Sequence, residues 1–135
     1  MKYFICALDG KHWNSTSYLG IPAEQTERLI PADRTQTVVY ETDNEEAFIL
    51  LPALFDLKDR DAPHGLILKN APRIKTILLS PRIENEMEIP PQEIHQLPDA
   101  LSAMHTYFTG IFFTDDKVIL ILDPEKLLEC SAQWE

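Results

Sequence analysis

The side chains of this sequence that could do chemistry are scattered rather than grouped. Its four histidines, His12, His64, His95 and His105, lie in polar connectors or beside turns, and none forms the HxH or HxxxH pair that would hold a metal. Each reads as a surface histidine. Cys6 and Cys130 stand near opposite ends of the chain, whereas a disulfide framework or a zinc site uses paired spacing. Both read as free thiols. Cys6, inside the apolar run FICAL, reads as a core residue, because reactive thiols sit in exposed, electropositive surroundings. There is no G-x-S-x-G elbow or G-x-G-x-x-G loop, and four glycines leave little material for cradling phosphates. Carboxylates are plentiful, and densest in ETDNEE (Glu41, Asp43, Glu45, Glu46) and ENEME (Glu84, Glu86, Glu88). The first group lacks the glycine and spacing of a calcium loop. In the second, strand alternation predicts all three glutamates on one solvent face. A catalytic or ligand-binding role for these acids would need them to converge on a pocket. The sequence makes no case for an enzyme, and no cofactor or metal is expected.

Charge narrows the partners. Twenty-two acidic residues against twelve Lys and Arg give a formal net charge of -10. The cations are dispersed, so the counterion-displacing footprint of a nucleic-acid binder is missing. Anionic membrane surfaces are disfavoured for the same reason. The apolar run from Tyr3 to Leu8 stops at Asp9, too short for a signal peptide, and no segment approaches the roughly 20 apolar residues of a membrane helix. The expectation is a cytoplasmic protein without membrane insertion, whose partners are proteins with neutral or basic faces, or small molecules.

The elements that would position a site read as β-rich. Ten prolines against four glycines imply rigid turns between short elements. Tyr3 to Leu8 predicts a strand ending in the turn signal Asp9-Gly10, with Ser17 to Ile21 as its partner. AEQTERLI (23–30) suits either a helix or a short strand with a bulge. TVVYE (37–41) predicts a strand, ETDNEE an exposed turn, and Ala47 to Leu51 a further apolar run. KDRDAPHG reads as a polar connector, LILKN and IKTILLS as hairpin arms, and RIENEMEI as a half-buried strand. PPQEIHQLPDALSAMH is a proline-bracketed linker. The clearest pattern is GIFFTDDKVILILDPEKLL (110–128): strand, turn at Asp115-Asp116, strand, then a helix capped by Asp123 with Pro124 in its first position. VILIL is apolar on both faces and must be covered on both, as in small closed or sandwiched β-lobes.

This C-terminal stretch resembles the CheW-like domain of bacterial chemotaxis coupling proteins. Family members carry a strand ending in I-P, a proline-rich linker, a (Y/F)-x-x-G-(I/V) strand, an acidic turn, and an (I/V)-L-L-D-x-(E/D)-(K/R)-L-L ending. Tyr107, Gly110, Ile111, Asp123, Lys126, Leu127 and Leu128 fall on that pattern in order. IKTILLSPRIENEMEIP is similar to the preceding pair of strands, and YFICALDGKHW, LGIPAEQTERLIP and FILLPALFDL resemble earlier family segments. The family's N-L-R-G stretch is absent. Glu45, Glu46 and Ala47 stand about where its arginine is expected, and Arg28 where its glutamate is expected.

The resemblance implies a mainly β fold of two small five-stranded β-barrel lobes with a hydrophobic seam and one or two short helices. As a single domain over residues 1–135, its first lobe would use both chain ends and about 10–60, and its second about 62–122. It also implies a non-catalytic adaptor coupling chemoreceptors to a CheA-type histidine kinase, with the kinase regulatory domain and the receptor cytoplasmic tip as partners. A second reading keeps the fold but assigns it to another signalling or motility pathway. The expected partner-binding residues are Thr26, Arg28, Ile30, Tyr107 and Phe113, and the exchanged signs predict an ion pair between Arg28 and Glu45 or Glu46.

Overall fold

The computed structural model describes residues 1–9, 17–69, 71, 73–99 and 107–134. Among them are ten strands: β1 (Lys2–Ala7), β2 (Tyr18–Pro22), β3 (Thr26–Thr35), β4 (Tyr40–Asp43), β5 (Glu46–Leu50), β6 (Asp61–Leu68), β7 (Lys75–Ser80), β8 (Arg82–Glu88), β9 (Phe108–Phe113) and β10 (Val118–Leu122). One α-helix, α1 (Pro124–Ser131), follows β10 directly. The strands form two five-stranded sheets. Sheet I runs β8-β1-β2-β10-β9 and sheet II runs β3-β6-β7-β5-β4. Each contains one parallel pair, β2 with β10 and β5 with β7, and the remaining neighbours are antiparallel. Among the described residues no ladder joins β8 to β9 or β3 to β4, so neither sheet closes by backbone hydrogen bonds. The strands divide differently from the expected boundary near residue 62. Sheet II takes the continuous stretch 26–80, while sheet I combines strands from 2–22 with strands from 82–122.

Period-two alternation explains why so many strands are apolar throughout. Successive side chains point to opposite faces, and here each face has its own core. Along β1, Tyr3, Ile5 and Ala7 enter one cluster with Tyr18, Ile89, Ile119 and Ile121, while Cys6 faces the other way. In sheet II, Leu50, Ile67, Ile77 and Leu79 fill a second cluster, while Ile49, Leu66 and Leu78 turn away from it. The residues that turn away meet between the sheets. Cys6, Leu19, Ile21, Ile111 and Leu122 of sheet I join Ile49, Leu66, Leu68 and Leu78 of sheet II in a third core, completed by Tyr107, Phe108 and Leu127. VILIL is therefore split, Ile119 and Ile121 to the first cluster and Leu122 to the seam.

Local chemistry sets the turns. Asn44 and Glu45 both have positive φ, 51° and 64°, the signature of the type I′ turn that suits the twist of a two-residue hairpin between β4 and β5. The Asp123 carboxylate accepts hydrogen bonds from the backbone N–H groups of Glu125 (3.0 Å) and Lys126 (3.4 Å), and Pro124 occupies the first turn, as the sequence predicts. AEQTERLI resolves into a 3-10 turn, Ala23–Gln25, followed by the bulged strand β3. The strand expected at 37–41 starts only at Tyr40. The buried Gln36 amide donates to the carbonyls of Val38 (2.9 Å) and Phe48 (3.3 Å) and holds 37–39 as bends. The connector KDRDAPHG is half strand, since β6 begins at Asp61. Pro63 is tolerated there because it lies opposite the β3 bulge between Pro31 and Arg34, where the ladder is interrupted. The Asp9-Gly10 turn falls partly outside the described residues, but β1 and β2 pair as expected.

Gly110 has a steric role. The linker crosses β9 through paired hydrogen bonds between His95 and Ile111, 2.8 and 2.9 Å. A Cβ on Gly110 would overlap Ile94 Cγ2 and stand 3.0 Å from the His95 carbonyl oxygen. Gly110→Ala is expected to cost about 1–3 kcal/mol, the range for overpacking, and Asp123→Ala about 1 kcal/mol through loss of the cap. Urea unfolding checks both. A Gly110→Ala midpoint equal to wild type would show that the linker does not press on β9.

Candidate interaction surfaces

Cys6 is fully buried, and burial pushes its thiol up to about 12, with a hydrogen bond to Ser80 acting weakly in the opposite sense. Cys130 is half-buried beside the seam. Among the described residues no three His, Cys, Asp or Glu side chains gather as a metal site. His64 is half-buried on β6, while His95 is exposed with its ring edge-on to Phe113, 5.4 Å between centroids. His12 and His105 lie outside the described residues.

The expected row of three glutamates is broken by a bulge. Glu88 lies opposite Lys2, but the register shift between Tyr3 and Ile5 brings Glu84 opposite Ile5, on the other face of the sheet. There its carboxylate takes a 2.8 Å hydrogen bond from Lys117 Nζ and sits 3.7 Å from Arg82 Nη2. The Glu84 bond is the main reason the Lys117 pKa is raised, against the opposing effect of burial. Lys117 Nζ also lies 4.9 Å from the Tyr18 ring centroid. Glu86 and Glu88 remain outward, near Lys2 and the N-terminal amine respectively.

The five expected partner residues do not gather. Thr26 is 4% exposed, and its hydroxyl donates to the Ala23 carbonyl (2.9 Å), bracing the turn before β3. Tyr107 is 8% exposed in the seam, edge-on to Phe108, and burial followed by the neighbouring Cys130 raises its phenol pKa. Neither offers a side chain to a partner in this conformation. Arg28 is exposed on β3, Ile30 is half-buried against the inner core of sheet II, and Phe113 is 54% exposed at the end of β9. The accessible members thus belong to two surfaces on different sheets.

Two apolar neighbours complete those surfaces and were not singled out in the sequence. Val118, 52% exposed, is the direct cross-strand partner of Phe113, so the β9–β10 hairpin ends in an exposed apolar pair beside His95. Counting both strands outward from the Asp115-Asp116 turn would have found it. Leu29, 45% exposed, stands between Arg28 and Ile30 on the β3 edge of sheet II.

The expected Arg28 ion pair is not formed. Arg28 lies at the start of β3, and Glu46, at the β4–β5 turn, pairs instead with Lys75 at 3.3 Å. Arg34 does reach β4. Its guanidinium lies 3.6 Å from Glu41 and 3.5 Å from Asp43, and 4.0 Å above the Phe48 ring centroid.

The CheW-like domain family model matches residues 18–131. The chain belongs to the CheW-like domain family. Among solved structures, this CheW-like protein is similar to the scaffolding protein TtCheW from Thermoanaerobacter tengcongensis. The two share 20% sequence identity and a TM-score of 0.64, over 90% of this chain and 87% of the other. That likeness concerns the fold. No curated protein matches the sequence. Family membership accounts for the motif carried by Tyr107, Gly110, Asp123 and Leu127, which the structure assigns to seam packing, linker crossing and helix capping.

Cys6 in this CheW-like protein is expected to resist alkylation at pH 8 while the chain is folded, and to react once it is unfolded in guanidinium. Mass spectrometry of peptides after timed iodoacetamide treatment checks this. Rapid native labelling of Cys6 would refute the assigned burial.

Proposed function

We propose that the protein is a non-catalytic scaffold of chemotaxis signalling, acting in the cytoplasm and joining chemoreceptors to a CheA-type histidine kinase through protein contacts. Membership of the CheW-like family over residues 18–131 carries this reading. The chemistry agrees with it: the fully buried thiol is inert, and the outward features are apolar residues at strand ends and sheet edges. Such surfaces can hold a partner helix or strand with no reactive group. The kinase regulatory domain and the receptor cytoplasmic tip are the proposed partners. Phe113 with Val118 forms one contact, and Arg28, Leu29 and Ile30 form the other. Large exposed aromatic and arginine side chains are the types that dominate binding energy when desolvated.

Co-elution with a CheA regulatory domain and a receptor cytoplasmic tip, each alone and together, tests the proposal. Binding to neither at tens of micromolar would refute it and favour the second reading, an interaction protein of another signalling or motility pathway. The double variant Phe113→Thr with Val118→Thr, which places β-branched residues at this cross-strand pair, is expected to weaken binding to one partner at least tenfold, equivalent to about 1.4 kcal/mol. Its unfolding midpoint should stay near wild type, since both side chains are exposed. Wild-type affinity for both partners would remove this pair from the proposed interface.

A further inference from the structure

The apolar pair Phe113 and Val118 stands at the tip of the β9–β10 hairpin, past the points where the hairpin is bonded to the rest of sheet I. β10 first pairs with β2 at Ile119, opposite Tyr18, and the linker crosses β9 at Ile111. Residues 113–118 lie beyond both. The turn closes on itself: Thr114 N–H donates to Lys117 O and Lys117 N–H donates to Thr114 Oγ1, each at 2.9 Å. These bonds shape the tip without attaching it to a neighbour. Side chains supply the attachment. The His95 ring meets Phe113 edge-on, and Lys117 passes over the Tyr18 ring to β8, where its Nζ donates to Glu84 Oε2 at 2.8 Å. Among the described residues β8 shares no ladder with β9 or β10, so this bond ties together strands that the backbone leaves apart. Glu84 is steadied in turn by Arg82, whose Nη2 lies 3.7 Å from the other carboxylate oxygen. The Lys117 and Glu84 side chains are 21% and 27% exposed, so dissolved ions screen their bond less than they would an open surface pair.

We propose that Lys117 is a positioning residue for the Phe113–Val118 surface: its hydrogen bond to Glu84 ties the hairpin tip to β8 and fixes the place from which the apolar pair is presented. This rests on the scaffold function proposed above, in which that pair is a partner contact. A tip already held in place spends less binding energy on ordering when a partner docks.

Nitrogen-15 relaxation of the free protein tests the tie, read as order parameters of the 113–118 amides with those of 119–122 as reference. In the wild type the tip is expected near the rigid value of about 0.85. In Lys117→Met, which keeps the aliphatic stem, and in Glu84→Thr, which leaves Lys117 intact, it should fall toward about 0.6 while the reference stays unchanged. Lys117→Arg, which keeps a cation able to reach Glu84, should stay in the wild-type range. Both loosened variants are expected to bind about threefold more weakly to whichever partner Phe113→Thr with Val118→Thr loses. The proposal is overturned if the tip of Glu84→Thr is as rigid as wild type, because Lys117 would then act through another contact. It is also overturned if both variants loosen the tip yet bind as the wild type does. If the wild type binds neither the kinase regulatory domain nor the receptor tip, the scaffold reading fails, and the order parameters still decide whether Lys117 holds the hairpin.

Discussion

The seam between the sheets is the constraint on which the rest of the structure depends. Cys6, Leu19 and Ile21 from sheet I and Ile49, Leu66 and Leu78 from sheet II are all fully buried there. A buried aliphatic side chain of this size contributes about 1.5–3 kcal/mol, whereas an exposed ion pair contributes about 0–1 kcal/mol. Packing, not charge, therefore fixes how the sheets stand against each other. Because each sheet also needs a core on its other face, the central strands must be apolar at successive positions. That requirement accounts for the long apolar runs of β1, β2, β7 and β10.

Charge acts at the margins. Lys117 with Glu84, Lys75 with Glu46, and Arg34 with Glu41 and Asp43 all tie together segments distant in sequence or on different strands. These pairs engage cations that are in short supply in a chain with 22 Asp and Glu against 12 Lys and Arg. The exposed apolar residues stand beside both signs of charge, with Lys117 next to Val118 and Arg28 next to Leu29.

Much of the fold was legible because local signals and burial agree. The β9–β10 hairpin, the Asp123 cap and the apolar doubling of VILIL could each be read from a few consecutive residues, and the structure places them as expected. The misses share one cause, which is that bulges and long-range contacts have no local signature. The bulge opposite Tyr3 and Ile5 turns Glu84 to the other face from Glu88. The expected Arg28 pair failed because the position of a residue along β3 decides which charges it meets, and Arg34, six residues further along the strand, is the one that reaches Glu41 and Asp43 of β4. Thr26 and Tyr107 look like surface candidates in sequence, yet their polar atoms are satisfied or shielded at buried positions. Of the candidate site, Phe113 was visible as an aromatic near a turn. Its partner Val118 was within reach of the same reading, by counting both strands outward from the Asp115-Asp116 turn.

The apportioning of strands also sets when each pairing becomes available during synthesis. All of sheet II is encoded between residues 26 and 80, so its pairings become available early, as one uninterrupted piece. Sheet I must wait: β2 acquires its parallel neighbour only when β10 emerges, joining Tyr18 to Ile119 across most of the chain. Such distant closures are slow. Until the last strand arrives, the apolar flank of β2 has no cover, and the nascent molecule passes through a half-built stage in which shielding by chaperones would matter most.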